Sequence, residues 1–394
     1  MTTAAPDLFD DILVVDADTH LTEPHDLWTS RAPKGMADRV PQVREVKGRP
    51  MWTIDGEVFG GAIGASVVLP DGSKSLGTGF MRLGIDEVHA GASMIEPRLA
   101  VMDELGIHAQ IVYPNVVGFG GHRFAAIADR ELKVLCATIF NDAMAEFQDQ
   151  SGGRIFPMAL LPWWDLDAAV AEVSRAAAMG LRGVNINADP QNEGCPDLAE
   201  RHWDPLWEAC ADLGMPVNFH VGASATSMSW LGTMPWPSLD EERKLSLGSL
   251  MIMISNFRTM GNLLLSGVLE RHPTLHVVSV ESGLGWIPFL IEGLDYEVGE
   301  CAPHIGEHLS MKPSEYFHRQ MHVCYWFEED SFRGALGALG PDNIMFETDF
   351  PHPTCLYPDP LARAAEQLAD VEPGVRRKLM STNAAELYRI PLPG

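Results

Sequence analysis

The chain has 394 residues, 46% apolar and 21% charged, enough for a deep core in one large barrel or in two to three smaller domains. Its 28 basic and 54 acidic residues give a net charge of −26, which argues against nucleic acid and anionic membranes as partners. No window holds the ~18 or more uninterrupted apolar residues of a spanning helix.

The opening "MTTAAPDLFDDILVV" lacks the basic and then apolar regions of a secretory signal. The six cysteines (136, 195, 210, 301, 324 and 355) form no CxxC pair or zinc spacing. They read as reduced thiols of a cytoplasmic protein.

Short β-rich apolar runs alternate with longer helical patterns along the chain. The spacing predicts strands near 12–18, 109–114, 155–161, 183–187, 216–220, 275–281, 321–327 and 344–349. Helical stretches such as "DLDAAVAEVSRAAAMG" and "DPLWEACADLG" lie between them, each closing on a glycine suited to a helix C-terminus. This rhythm fits a distorted (β/α)8 barrel in one domain, 1–394, better than a doubly wound sheet. Residues 30–95 interrupt it with a hairpin pattern around Asp55-Gly56 and a glycine-rich stretch. We read this insertion after the first strand as a lid over the barrel mouth, part of a subunit interface, or plain irregular decoration. With the loop 222–245 it is expected to shape the pocket. The apolar segment "LSLGSLMIMISNFRTMGNLLLSGVLERHP" is expected to be buried against the barrel or in a contact between copies of a homo-oligomer.

Catalytic groups of a barrel collect at the C-terminal ends of its strands. Here Asp16, Asp18 and His20 end the first strand, and His220, Glu281 and Asp349 end three later ones. Tyr113, Asn115 and Asn187 end two more. The two-residue period sends Asp16, Asp18 and His20 to one side, so Asp18 and His20 can share a cation, while Asp16, a step deeper, suits a structural hydrogen-bonding role. Two carboxylates and two imidazoles make a mixed oxygen and nitrogen site for one divalent metal. Zinc is the first choice; manganese and iron stay open.

The stretches "DADTHLTEPHDLW", "FHVG", "HPTLHVVSVESGLGWIPFLIEGLD", "ETDFPHP" and "NAAELYRI" resemble the amidohydrolase 2 family. This is the branch of the amidohydrolase superfamily that contains aminocarboxymuconate semialdehyde and resorcylate decarboxylases. The resemblance implies a distorted (β/α)8 barrel with one divalent metal at its mouth. It implies ligand roles for Asp18, His20, His220 and Asp349, with His220 and Asp349 also in the catalytic set. One departure stands out. Where the decarboxylases carry a catalytic histidine after the sixth strand, this chain has "VESG", with Glu281 at that position. A buried glutamate can act as acid or base, but it cannot be a cationic partner for a substrate carboxylate.

Two enzymatic readings result, both on a small-molecule substrate. One is a metal-dependent carboxy-lyase acting on a small aromatic or unsaturated carboxylic acid, with Asp349 or Glu281 delivering a proton to carbon. The other is a hydrolase that uses metal-activated water on an amide, ester, lactone or C–C bond, with Glu281 as base. A non-catalytic barrel is the minor alternative. Around this centre, His352 is a candidate for orienting a carboxylate or touching substrate. Glu23 is a candidate support for the first-strand ligands or for a backbone amide after the strand, Arg182 or Arg82 for an anionic substrate, and Trp163 or Trp164 for a pocket wall, with hydrophobic packing expected of at least one of the two. The run Glu328, Glu329, Asp330 reads as a solvated turn.

Overall fold

The computed structural model describes residues 8–232 and 236–393. The signal-peptide expectation for residues 1–7 and part of the 222–245 loop therefore fall outside the described residues. The first strand is β1 (Val14–Leu21). The insertion then supplies β2 (Gln42–Val46), β3 (Arg49–Ile54) and β4 (Glu57–Gly61), an antiparallel sheet of their own. Eight parallel segments remain for the barrel, counting β1, and all eight fall where the apolar runs predict them. After β1 come β5 (Ile107–Pro114), β6 (Ile155–Pro157) continuing into β7 (Ala159–Leu160), and β8 (Val184–Asn185). They are followed by β9 (Val217–His220), β10 (Val277–Val280), β11 (Met321–Tyr325) and β12 (Ile344–Phe346).

Pairing runs in parallel from β1 through β5 to β6 and from β7 through β8, β9, β10 and β11 to β12. Met158 joins these two runs. Its N–H donates to Val112 O at 2.9 Å, while the next residue, Ala159, donates to Gly183 O at 3.0 Å on the other side. Beyond β12 the chain returns to β1, with Asp349 N donating to Asp18 O at 2.9 Å and His20 N to Phe350 O at 2.7 Å. The circle is thereby closed, and the closing bonds lie at the mouth.

Alternation along the strands separates two apolar layers. Val15, Ala17, Ala109, Ile111, Val278 and Met345 fill the barrel interior. Val14, Val112, Val184, Val217, Val277 and Ile344 pack outward against the helices. The C-terminal "NAAELYRI" plugs the bottom: Asn383 Nδ2 donates to Pro341 O and Ile344 O, and the Tyr388 hydroxyl donates to Asn218 Oδ1 at 2.7 Å. The helices start where the sequence provides caps. Asp129 Oδ1 accepts from Glu131 N and Leu132 N at the head of Arg130–Gln150, and Asp165 accepts from Ala168 N at the head of Leu166–Ala178.

In the insertion, Asp55 (φ 48°) and Gly56 (φ 88°) adopt the left-handed pair that a two-residue hairpin requires. Its sheet is anchored by Trp52, which is buried, T-shaped against Trp28, and donates to Ala62 O at 3.1 Å. The segment then reaches the mouth, where Val67 N donates to Pro351 O at 2.9 Å. Gly64 permits that approach: a Cβ there would sit 2.2 Å from Asn115 Oδ1.

The methionine-rich segment forms the helix Glu241–Leu265. It is buried along Ile252, Met253, Met260 and Leu263, but Leu250, Ile254 and Leu265 are exposed. Its inner face is thus buried against the barrel, and these three apolar residues stay exposed in the single chain.

Candidate metal centre at the barrel mouth

The first strand does not follow a simple two-residue period. Its pairing with β5 slips by one residue between Asp16 and Thr19, a bulge that puts three steps of β1 against two of β5. Ala17 belongs to the interior layer, and the extra residue lets Asp18 and His20 face the mouth as well. Asp16 is corrected to the opposite side. Its Oδ1 accepts from Thr348 N at 2.8 Å, and its Oδ2 accepts from Thr348 Oγ1 at 2.6 Å and Gln110 Nε2 at 3.1 Å. Asp16 thus fastens β1 to β12 and β5, the structural role expected of it, and burial raises its carboxyl to about 7.

Four strand ends converge. Asp18, His20, His220 and Glu281 offer ligand atoms within 4.8 Å of one another, as do His20, Glu281, Asp349 and His352. His220 Nε2 lies 3.5 Å from Asp18 Oδ1 and 3.3 Å from Glu281 Oε2, and His20 Nε2 lies 3.6 Å from Asp349 Oδ1. Glu281, expected as an acid or base beside the ligands, therefore stands as close to the imidazoles as Asp18 and Asp349 do.

The hydrogen bonds fix the tautomers. His20 Nδ1 meets Pro114 O at 3.0 Å, and His220 Nδ1 meets Val221 O at 2.8 Å. A carbonyl only accepts, so each Nδ1 carries its ring's proton and each neutral ring leaves Nε2 bare. Burial holds both rings neutral: it pushes His20 well below the usual range and His220 down to about 4. The two bare Nε2 atoms then point at each other across 3.2 Å. Both Asp18 oxygens and Asp349 Oδ1 are buried without a hydrogen bond, although Asp349 Oδ1 lies 3.1 Å from His352 Nδ1. Facing lone pairs and unpartnered carboxylate oxygens in a buried pocket are stabilised by a cation. The donor set fits one divalent metal.

The carboxyl groups show the same imbalance. Asp18 is pushed well above the usual carboxylate range by burial and then by Asp349, and Glu281 by burial, Asp349 and Asp18. Glu281 (φ 51°) and Asp349 (φ 59°) both occupy the left-handed backbone region, which costs a non-glycine residue about 1–2 kcal/mol. Both strained positions carry a side chain that faces the cluster.

The other candidates fall into place around this cluster. His352 stacks on His20 with centroids 3.6 Å apart and shares Asn115 Oδ1 through its Nε2 at 3.2 Å. Glu23 holds the loop after β5, accepting from the amides of Asn115, Val116 and Val117, and burial raises its carboxyl to about 7. Tyr113 donates to Asn218 Oδ1 at 3.2 Å inside the barrel, and Asn187 Oδ1 accepts from Asp189 N at 2.8 Å.

Two expectations are corrected, those for Arg182 and Glu328. Arg182 precedes β8, so it sits at the opposite end of the barrel near Arg389. Trp163 takes the packing role expected of at least one of the two tryptophans: it is buried and donates to Gly120 O at 2.8 Å, supporting from behind the loop that carries Phe119. Glu328 is buried rather than solvated and accepts from Leu284 N and Trp326 N, holding the loop that begins at Glu281. Arg82 is exposed on an outer cavity it shares with Arg49 and Lys244.

Several site residues gave no sequence signal. Phe119 covers the imidazoles, with its centroid 4.1 Å from His220 and 4.9 Å from His20. Arg98 is buried over the Phe350 ring and donates to His20 O, Gly91 O and Gln110 Oε1. Glu347 is buried, and its Oε2 accepts from Glu281 N at 3.3 Å. Above the cluster opens a chamber of about 140 Å³. Its floor includes Glu281 and His352, and its walls include Phe80, Phe119, Met228 and Met253.

A barrel with this arrangement at its mouth can be compared with known proteins. The Amidohydrolase family model matches residues 15–390. The chain belongs to the amidohydrolase family. Gamma-resorcylate decarboxylase from Rhizobium sp. (strain MTP-10005) is 24% identical to it over 310 residues, 75% of this chain and 87% of the relative. Among solved structures, an amidohydrolase from Mycobacterium avium subsp. paratuberculosis K-10 superposes with a TM-score of 0.73 at 24% identity, covering 96% of this chain and 99% of that one. A 5-carboxyvanillate decarboxylase from Novosphingobium aromaticivorans, with bound manganese and a nitrobenzoic acid, gives 0.63 at 16% identity over 96% of this chain and 97% of that one. These superpositions establish the amidohydrolase barrel fold. Among the described residues, no helix is long and apolar enough to cross a membrane.

Proposed function

We propose that this amidohydrolase is a metal-dependent carboxy-lyase that removes carbon dioxide, without oxidation, from a small aromatic or unsaturated carboxylic acid. The observation that carries the proposal is the pair of bare imidazole nitrogens 3.2 Å apart, ringed by carboxylate oxygens that lack hydrogen bonds. The likeness to resorcylate decarboxylase supports the choice of reaction.

Asp18, His20, His220 and Asp349 would hold the cation, with Glu281 within reach of the same point. Three carboxylates against two imidazoles favour manganese over the zinc first expected, in line with the manganese bound in the carboxyvanillate decarboxylase. When bound, the metal supplies Lewis-acid polarisation of substrate oxygens. The remaining work belongs to side chains. Glu281 is 13% exposed, whereas Asp18 and Asp349 are sealed, and it forms part of the chamber floor. It is therefore the carboxyl that can hand a proton to the substrate carbon. His352, held between Asn115 Oδ1 and Asp349, fixes the orientation of Asp349, and Thr354 Oγ1 donates to Asp349 Oδ2 at 2.9 Å. Phe119 keeps bulk water off the imidazoles.

One observation favours the hydrolase reading: among the described residues no lysine or arginine lines the chamber, so only the metal could attract a substrate carboxylate. Turnover in ¹⁸O-labelled water with manganese-loaded protein separates the two. Released carbon dioxide with a new C–H bond supports the lyase, and label in a product carboxylate or alcohol supports the hydrolase.

Three further readings are part of the proposal. The insertion 30–95 acts as a lid, supported by Ala65 and Phe80 at the chamber wall. The chain forms a homo-oligomer, supported by exposed Phe289, Tyr296, Leu250 and Ile254. It works in the cytoplasm, supported by six unpaired cysteines, four of them buried.

A further inference from the structure

The chamber above the metal centre has a character that the catalytic cluster does not dictate. Apart from its floor, its polar wall residues are Ser249 and Thr354; Phe80, Phe119, Met228, Leu231, Ile252 and Met253 make most of the rest. Among the described residues it holds no lysine, arginine, asparagine or glutamine. Its volume is about 140 Å³. An apolar cavity of roughly 150 Å³ is enough to take one benzene ring.

We infer that the substrate is a monocarboxylic acid built on a single six-membered ring, whose apolar substituents, rather than further hydroxyl or carboxyl groups, fill the wall formed by Met228, Leu231, Ile252 and Met253. The inference rests on the reading under Proposed function only in placing the acid group at the floor, beside Glu281 and His352.

Discrimination follows from what the wall can and cannot satisfy. A second carboxylate directed at Met228, Ile252 and Met253 would lose hydration there, with no lysine, arginine, asparagine or glutamine among the described lining residues to replace it. A buried ion without a partner is among the most expensive groups to bury. A hydroxyl directed at the two methionines and Ile252 would lose hydrogen bonds to water and gain none. A methyl or chloro substituent would gain contact instead. Methionine suits such a wall, because its unbranched thioether adapts to small differences in ligand outline. The wall is set by the fold: Met228 comes from the helix Ala225–Gly232, while Ile252 and Met253 lie on the inward face of Glu241–Leu265.

The test uses the full-length manganese-loaded protein and isothermal calorimetry with 2-hydroxybenzoate and its 4-methyl, 4-chloro, 4-hydroxy and 4-carboxy derivatives, with turnover followed in parallel. The methyl and chloro acids are expected to bind about tenfold or more tighter than the hydroxy acid, the scale of one methyl-sized group in an apolar pocket. The 4-carboxy acid is expected to bind weakest. M228Q and M253Q should each shrink the methyl-to-hydroxy ratio, and M253L should keep it. Equal or tighter binding of the hydroxy or carboxy acid, or a ratio unmoved in both glutamine variants, overturns the inference. Preferential binding of the methyl acid without carbon dioxide release supports this inference while counting against the lyase. Carbon dioxide release without the preference does the reverse.

Discussion

Replacing Asp18 with asparagine should stabilise the metal-free protein and abolish its response to metal. Neither Asp18 oxygen receives a hydrogen bond, so the amide forfeits none. The Asp18 and Glu281 ligand oxygens lie within 4.8 Å of each other. At an effective dielectric constant of about 20, two charges at that separation repel by about 3 kcal/mol. Part of this repulsion is already relieved, because burial and Asp349 push the Asp18 carboxyl upward and disfavour its charged form. A net gain of about 1–2 kcal/mol remains for Asp18→Asn, or about 1–2 °C in melting temperature for a chain of this size.

The pH dependence has a definite sign. A carboxyl whose native value is raised binds more protons folded than unfolded, so metal-free wild-type stability falls as pH rises from the usual carboxylate value to the raised one. Asp18→Asn should flatten that slope. Differential scanning calorimetry on chelated protein, with and without added manganese, reads all three effects. Loss of more than 1 kcal/mol in the chelated variant, or an undiminished manganese shift, would place Asp18 outside the metal site.

Other substitutions separate the roles within the cluster. Glu281→Gln should retain metal by elemental analysis yet lower kcat by about 10²–10⁴-fold, the usual contribution of a proton-transferring side chain. Asp349→Ala should lose both metal and turnover, and an active, metal-loaded variant would remove Asp349 from the site. Arg98→Met takes away the donor that holds the His20 carbonyl inside the core. It should cost about 3 kcal/mol by chemical denaturation, the scale for breaking a buried charged network. Gly64→Ala would drive a Cβ into Asn115 at a position with φ 58°, and it should lower stability and disturb His352 through Asn115.

Much of this barrel was legible because its strands are buried on both faces and appear as continuous apolar runs. Asp18, His20, His220 and Asp349 were legible for a related reason: each is a polar residue that ends such a run. What escaped depends on contacts the sequence does not carry. The bulge in β1 reverses the parity of Asp16 and is set by pairing with β5. Phe119 sits in a loop whose path is fixed by Glu23 and Trp163 from elsewhere in the chain. Arg98 lies on a helix that otherwise packs as an ordinary surface element. Arg182 is a different kind of error: it stands before its strand, and that position alone assigns it to the wrong end of the barrel.

The most direct measurement is an anomalous difference map from crystals soaked in manganese and collected at the manganese edge. One peak is expected, in coordination contact with the Nε2 atoms of both His20 and His220 and with Asp18 and Asp349 oxygens. A peak elsewhere, or imidazoles whose Nε2 atoms turn away from a common point in the soaked crystal, would contradict this assignment.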